Sequence, residues 1–266
     1  HTRFRNVTGV QTCALTIYVD ASGLGITASE VETAIKSCDA ATLDALTFAR
    51  DRIETFHRRQ LPKDERFTDA AGVELGWRWS AIEAVGLYVP GGRAVYPSSV
   101  MMNVIPAQIA GVKSLAVASP PQKEFGGLPH PNILATCALL GIDEVYAVGG
   151  AQAVAMFAYG IGCEAVDMVT GPGNIYVAAA KRALRGIIGI DSEAGPTEIA
   201  IVADESAIAG EVAADLISQA EHDTIAAAVL ITDSLSLADE VERELSNRVA
   251  RTKHRERITD ALAGNQ

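Results

Sequence analysis

Apolar residues recur at three- and four-residue steps from Thr27 to about residue 60. This spacing places them along one face of an α-helix. It predicts two helices, over residues 28–37 and 40–59. Ser29 is the expected N-cap of the first helix, because a serine oxygen can accept hydrogen bonds from the free N–H groups of a first turn.

A polar stretch over residues 62–68 is followed by short strand-like segments around 72–79 and 82–88, and the pattern then changes. From Val85 onward, apolar β-rich runs alternate with helical periods. The predicted strands are 85–89, 114–118, 144–148, 166–170, 199–203 and 227–232. The predicted helices are 98–110, 129–140, 151–159, 174–185, 207–221 and 236–250.

This alternation of strands and helices is typical of βαβ units with a parallel sheet. Each strand is a continuous apolar run, such as residues 144–148, as expected where helices cover both faces of a sheet. The predicted fold class is therefore α/β. We expect incomplete Rossmann-like domains with mainly parallel sheets and a helical N-terminal segment.

Two positions indicate domain boundaries. The first is Val85, where the helices give way to the alternation, and the second is the turn dipeptide Gly195-Pro196. We predict a first α/β domain formed by residues 19–85 plus 198–266 and incomplete at its C-terminal end. Residues 86–197 are predicted to form an inserted second α/β domain.

Residues 1–18 are interpreted as a non-native leader. The stretch Val7–Ile17 resembles the translation of a sequencing-library adapter, and the first residue is histidine rather than methionine. The alternative is an unusual but genuine leader. Resequencing the source DNA distinguishes the two, because the same codons in an independent genomic clone would contradict the adapter interpretation.

Composition narrows the class of partner. The chain has 266 residues, of which 48% are hydrophobic, enough to build the core of a globular domain. A formal net charge of −11 repels phosphate backbones and argues against nucleic acid. No apolar run reaches the roughly 18 residues of a membrane helix. The four cysteines lack metal-ligand spacing and fit a reducing cytoplasm, so we predict a cytoplasmic protein that does not bind membranes.

Three glycine-rich segments lie where a predicted strand meets a helix: residues 86–92, 148–153 and 170–174. Glycine lets a backbone approach a ligand closely, and helix N-termini attract anions. A tight turn is the ordinary explanation for each segment alone. None has a GxGxxG or P-loop pattern, so neither an ordinary Rossmann site nor a Walker site is supported. Together, at the ends of neighbouring strands, the three segments predict one ligand crevice.

Gln219 and His222 lie three residues apart at the end of the predicted helix 207–221 and close to its apolar stripe. A polar pair near a buried face needs partners, and zinc is a common partner of neutral imidazole. A helix end exposed to solvent, with a capping histidine, is the alternative that the spacing alone favours.

Five collinear segments resemble signature regions of histidinol dehydrogenases. They are Val85–Ala107, Val148–Ala153, Gly171–Asn174, Ala194–Glu198 and Asp215–His222. Their order and spacing agree with the family, and a weaker likeness extends from about residue 27 to the end. The chain is thus similar to the amino-terminal part of a histidinol dehydrogenase.

The resemblance implies NAD-dependent oxidation of L-histidinol to L-histidine through histidinaldehyde, a reaction of histidine biosynthesis that zinc assists. Carried over by motif, Tyr88, Gln152 and Asn174 are expected to contact NAD. These expectations come from the family and not from the periodicity of the chain.

The resemblance also implies the zinc and substrate contacts. Gln219 and His222 are expected to bind zinc and substrate, and Thr197 stands where the family has serine or threonine near the substrate. The expected role of the metal is to hold and orient the substrate, not to generate hydroxide.

Family members are longer and carry their catalytic Glu–His pair and two further zinc ligands in the part that this chain does not match. We therefore expect no catalytic residue in this chain and no activity from it alone. His254 is not a substitute, because it lies in the charged run 251–257, which is typical of a solvated helix face. The family also implies a homodimer at full length.

Two alternatives stay open. One is a related dehydrogenase of the same superfamily that oxidises another small alcohol, such as a sulfonated diol. The other is a non-catalytic half-enzyme that still binds NAD. Rescue of a histidine auxotroph by the full-length gene distinguishes the first alternative from histidinol oxidation.

Overall fold

The structure is a computed structural model that describes residues 23–91, 95–193 and 198–264. The predicted leader, residues 1–18, lies outside this part. The helices are α1 (Ala28–Ser37), α2 (Ala40–Arg58), α3 (Pro97–Ala110), α4 (Pro131–Leu139), α5 (Gly150–Tyr159), α6 (Ile175–Leu184), α7 (Ala209–Ala220), α8 (Leu235–Val249) and α9 (Arg255–Leu262). The strands are β1 (Glu65–Thr68), β2 (Glu74–Trp77), β3 (Ala84–Tyr88), β4 (Ser114–Ala118), β5 (Glu144–Tyr146), β6 (Met168–Thr170), β7 (Gly189–Ile190), β8 (Glu198–Val202) and β9 (Ala227–Ile231).

The chain divides into two compact units, His1–Glu193 and Ala194–Gln266. The division lies close to the boundary predicted at Gly195-Pro196. Helices α1 and α2 belong to the first unit, where α1 packs against α4 and α2 against α3. The grouping of residues 19–85 with 198–266, around an inserted domain 86–197, stays a prediction.

The two N-terminal helices begin at side chains that cap them. The Thr27 hydroxyl accepts a hydrogen bond from the Glu30 N–H at 3.3 Å, and Glu30 Oε2 accepts one from the Thr27 N–H at 2.8 Å. This reciprocal pair is a capping box. The prediction of Ser29 as the N-cap is wrong, because Ser29 already lies inside the helix. Asp39 caps α2 through its carboxylate, which accepts a hydrogen bond from the Thr42 N–H at 2.9 Å.

The first unit is built on a five-stranded sheet of order β5-β4-β3-β6-β7, and all its neighbouring strands run parallel. The prediction of an α/β fold with mainly parallel sheets is thus confirmed. Alternate residues of β3 enter two different cores. Val85 and Leu87, together with Val89 just after the strand, pack with residues of α3 and α4, whereas Tyr88 packs with residues of α5 and α6. The central strand is therefore covered on both faces.

A glycine within β3 allows one of these helices to approach. A Cβ atom at Gly86 would lie 2.6 Å from the ring of Phe157, a fully buried residue of α5. The aromatic ring occupies the place that a side chain on the strand would take. The absence of a side chain at residue 86 therefore sets the close contact between the sheet and α5.

Three short elements depart from the predicted pattern. Strand β1 falls in the stretch predicted to be only polar, and it pairs with β2 as an antiparallel hairpin whose residues are all exposed. Strand β7 has only two residues and gives no apolar run. Helix α9 was not among the predicted helices, although its exposed residues Arg255 and Glu256 agree with the solvated helix face predicted for the run 251–257, and it buries Ile258 and Ala261.

The second unit has a two-stranded parallel sheet, β8–β9, against which α7 packs. Val212, Ala213 and Leu216 of α7 form a core with Leu237 and Val241 of α8. Nowhere in residues 23–91, 95–193 and 198–264 is a helix long and apolar enough to cross a membrane.

Burial at Cys137 makes stability depend on pH. The thiol lies fully buried in α4, and desolvation raises its pKa to about 12. An unfolded thiol ionises near pH 8.5, so the unfolded state loses a proton that the folded state keeps. We expect this group to lower the free energy of unfolding by roughly 1.4 kcal/mol per pH unit between about pH 9 and 12.

The measurement is urea unfolding at pH 8 and pH 10, with Cys137→Ala as the comparison. The wild-type chain should lose more stability over this interval than the variant, because the variant has no thiol to ionise. Equal losses would show that the Cys137 thiol does not couple folding to pH.

Candidate active site

The strand order places a topological switch point at β3. The chain proceeds from β3 to β4 and β5 on one side of the sheet, and then to β6 and β7 on the other. In open α/β sheets, a ligand crevice opens beyond the carboxyl ends of the strands at this point. The segments that follow those ends are Val89–Gly91 after β3 and Gly171–Asn174 after β6. Two of the three predicted glycine-rich segments therefore flank the switch point.

Tyr88 links this region to the third glycine-rich segment. It is the last residue of β3 and is only 3% exposed. Its hydroxyl accepts a hydrogen bond of 3.1 Å from the backbone N–H of Gly150, at the start of α5. The N–H groups at a helix start lack partners inside the helix, so the hydroxyl satisfies one of them. The end of β3 and the N-terminus of α5 are thereby held together.

The loop after β4 packs into the same region. A Cβ atom at Gly149 would lie 2.8 Å from Cγ of Pro120, so a side chain there would collide with the proline ring. The neighbouring Ser119 is 1% exposed, and among the described residues its hydroxyl has no hydrogen-bond partner. Its Oγ would lie 3.4 Å from a Cβ atom at Gly91. A buried hydroxyl group thus lies next to Gly91, in the segment that follows β3.

Gly171 is pressed against the end of β3. Its φ is +116°, and a Cβ atom there would lie 2.0 Å from the carbonyl oxygen of Tyr88. Its N–H donates to Oδ2 of Asp191 at 2.8 Å, and its carbonyl accepts from Nζ of Lys181 at 2.5 Å. Only glycine fits this combination of backbone angle and close contact.

Asn174 is the N-cap of α6. Its Oδ1 accepts hydrogen bonds from the N–H groups of Tyr176 at 3.0 Å and Val177 at 3.1 Å. Gln152 is half-buried in the first turn of α5. Tyr88, Gln152 and Asn174 thus lie on elements that meet at one end of the sheet. Their predicted contact with NAD stays a prediction.

The predicted zinc residues lie in the second unit. Gln219 is half-buried in the last turn of α7, and His222 is exposed just after the helix ends. The two are joined by a backbone hydrogen bond of 3.2 Å from the His222 N–H to the Gln219 carbonyl. Thr197 lies outside the described residues.

The described residues do not assemble a metal site by themselves. Within residues 23–91, 95–193 and 198–264, no three histidine, cysteine, aspartate or glutamate side chains lie close enough together to hold a metal ion. A closed zinc site uses four ligands, and Gln219 with His222 offers two. The residues of this part of the chain therefore do not fit a complete zinc site.

One polar pair beside Gly171 escaped the sequence prediction. Lys181 is 3% exposed, and its Nζ lies 2.6 Å from Oδ1 of Asp191. The sequence did contain an indication of this pair, because Lys181 falls on the apolar face of α6 together with Val177 and Leu184. A lysine in an apolar stripe must have a partner. The partner could not be chosen from the sequence, because Asp191 lies outside α6, directly after β7.

Comparison with known proteins gives a consistent result. The family model described as histidinol dehydrogenase matches residues 12–266. The histidinol dehydrogenase of Thermobifida fusca is 65% identical over 242 residues, which are 91% of this chain and 55% of that protein. The enzyme of the same name from Mycolicibacterium smegmatis is 60% identical over 239 residues, covering 88% of this chain and 54% of that protein.

A solved structure agrees. The crystal structure of histidinol dehydrogenase from Elizabethkingia anophelis superposes with a TM-score of 0.85 at 32% sequence identity. The match covers 95% of this chain and 58% of that one. The chain thus spans a little over half the length of the relatives it matches. Because the family model covers nearly the whole sequence, the chain belongs to the histidinol dehydrogenase family.

Proposed function

We propose that this chain forms part of an enzyme that oxidises L-histidinol to L-histidine through histidinaldehyde, with NAD as the oxidant and zinc as an aid to substrate binding. The observation that carries the proposal is the identity of 65% with the Thermobifida fusca histidinol dehydrogenase over 91% of this chain. It is supported by the switch point at β3, where Tyr88 contacts two of the glycine-rich segments, at Gly150 and at Gly171.

The helix N-termini beside the switch point suit the charge of NAD. NAD carries two phosphates, and the N-termini of α5 and α6 carry the positive ends of the helix dipoles, which favour anions. Gly150 and Gly171 carry no side chain at the places where these segments meet Tyr88. We assign Tyr88, Gln152 and Asn174 as NAD contacts. When bound, NAD accepts a hydride in each of the two oxidation steps.

The proposed zinc and substrate contacts are residues of the second unit. Gln219 and His222 are proposed as two zinc ligands that also face the substrate, and Thr197 as a substrate contact. The remaining ligands and the catalytic Glu–His pair would come from the part of the enzyme that this chain does not match. We therefore propose that the 266-residue chain alone does not turn over histidinol.

Gln152→Ala tests the cofactor assignment in the chain itself. Loss of one hydrogen bond to a bound ligand costs roughly 1–2 kcal/mol, so we expect NADH to bind about tenfold more weakly. The measurement is a titration of NADH fluorescence. Asp44→Ala, at an exposed position of α2, is the control and should leave the affinity unchanged. Equal NADH affinities of Gln152→Ala and the wild-type chain would show that Gln152 does not contact the cofactor.

The substrate assignment is tested at the full length of the family. The completed enzyme is this chain joined in frame to the part of the Thermobifida fusca protein that it does not match. It should restore growth of a histidine auxotroph that lacks histidinol dehydrogenase. Soluble, stable expression without growth would contradict the proposal. Oxidation of a sulfonated diol by the same protein would then favour the related alcohol dehydrogenase.

A further inference from the structure

Lys181 and Asp191 form an ion pair that is hydrogen-bonded to the backbone of Gly171, in the loop after β6, and to the N–H of Ser192. Nζ of Lys181 donates to the Gly171 carbonyl at 2.5 Å and to Oδ1 of Asp191 at 2.6 Å. The second carboxylate oxygen accepts from the Gly171 N–H at 2.8 Å, and Oδ1 also accepts from the Ser192 N–H at 2.7 Å. Both backbone polar groups of Gly171 are thereby bound to one ion pair.

Burial of this ion pair carries an unfavourable free energy of desolvation. Removing an ammonium group from water is unfavourable, and an apolar side chain would fill the same place in a core at least as well. The side chain of Lys181 is 4% exposed, whereas that of Asp191 is 33% exposed. The position of Lys181 on the apolar face of α6, beside Val177 and Leu184, is one where leucine or methionine would be expected. The geometry shows what the charge does instead, which is to hold Gly171.

The backbone conformation of Gly171 determines where the segment after β6 lies. Its φ of +116° and its contact with the Tyr88 carbonyl fix the direction in which the chain leaves β6. Three residues later, Asn174 caps α6 and presents the helix N-terminus. A rotation at Gly171 would move this whole segment relative to Tyr88, so the ion pair controls the position of a residue assigned to NAD.

We propose that Lys181 and Asp191 are positioning residues that hold the segment Gly171–Asn174 in the conformation that binds NAD. The pair acts through Gly171, and neither side chain contacts the cofactor. This inference rests on the proposed function, because it assumes that Asn174 and the N-terminus of α6 face NAD.

The test uses NADH affinity in the full 266-residue chain, measured well below the melting temperature of every variant. Lys181→Met removes the charge at nearly constant volume, and we expect the NADH dissociation constant to rise at least tenfold. Arg182→Met is the matched control, because Arg182 pairs with Glu193 at 2.7 Å on the exposed side of the same helix. It should leave the dissociation constant within twofold of the wild-type value.

A second control separates positioning from stability. Leu184→Ala destabilises the same helix by removing a buried side chain, but it leaves the contacts to Gly171 in place. It should lower the melting temperature and leave NADH affinity within twofold. An equal loss of affinity in Leu184→Ala and Lys181→Met would mean that the pair only stabilises the fold, and the proposal would be overturned.

If Lys181→Met does not fold, Asp191→Asn carries the test. It keeps an oxygen for the Gly171 N–H and loses the attraction to Lys181, so NADH should again bind at least tenfold more weakly. Unchanged affinity in a folded variant overturns the positioning role and leaves the NAD assignment intact. A wild-type chain that binds no NADH would instead contradict the NAD assignment, and the positioning role with it.

Discussion

Replacing Gly171 with alanine is expected to remove much of the stability of the first unit. The φ of +116° is strained for any residue with a side chain, at a cost of roughly 1–3 kcal/mol. The new Cβ atom would also lie 2.0 Å from the Tyr88 carbonyl oxygen, a backbone atom that cannot rotate away. Overpacking of this kind adds about 1–3 kcal/mol or more. The sum is a large share of the roughly 5–15 kcal/mol that stabilises a typical domain.

The control is Gly186→Ala, in the same unit. Gly186 has a similar φ of +99°, but nothing lies within 4 Å of the place where its Cβ atom would be. This variant should show only the conformational cost. The measurement is urea unfolding followed by circular dichroism. If both variants lose the same stability, the contact between Gly171 and Tyr88 is not the cause.

The second large effect is expected at His222. In the completed enzyme, His222→Ala should lower histidinol turnover by at least about 100-fold, because even partners in the second shell of a metal site can cost 10–100-fold. Zinc content after dialysis should fall in parallel. The reason is that His222 is assigned as one of four ligands, and loss of one ligand weakens a closed site.

His254→Ala is the matched control. His254 is also exposed in the second unit, and it precedes α9 in a charged stretch that is assigned no ligand. Its zinc content and turnover should match the wild type. A His222→Ala enzyme that keeps both zinc and activity would remove His222 from the metal site, whatever the control shows.

The sequence predicted most of the fold because the main signals are local. Periodic apolar residues identified α1 and α2, and apolar runs identified the central strands β3, β4, β5 and β6. The carboxyl ends of those strands could be assigned a crevice because a parallel sheet brings them to one edge. These periodic patterns can be recognised without knowing which distant residues are in contact.

The missed features depend on such contacts. Strand β1 has no buried face, so its residues carry no apolar alternation and are recognised only by pairing with β2. The role of Lys181 depends on Asp191, which lies ten residues away, directly after β7. Thr27 and Ser29 are both able to cap a helix, and Glu30 decides between them because it lies three residues after Thr27.

The site was predicted less completely than the fold. The glycine-rich segments were visible as a pattern, but their attachment to one another through Tyr88 required the structure. The roles of Gln152, Asn174, Gln219 and His222 came from the family resemblance, since each residue type is common at helix ends. Physical pattern alone favoured the capping explanation for His222.

The stoichiometry of the completed enzyme with L-histidinol tests the proposed reaction. We expect two NADH to form for each histidinol consumed, read at 340 nm, and histidine to be the product by chromatography. The 266-residue chain alone should form none. A folded completed enzyme that forms no histidine, or that reduces NAD only with another alcohol, would contradict the proposed reaction.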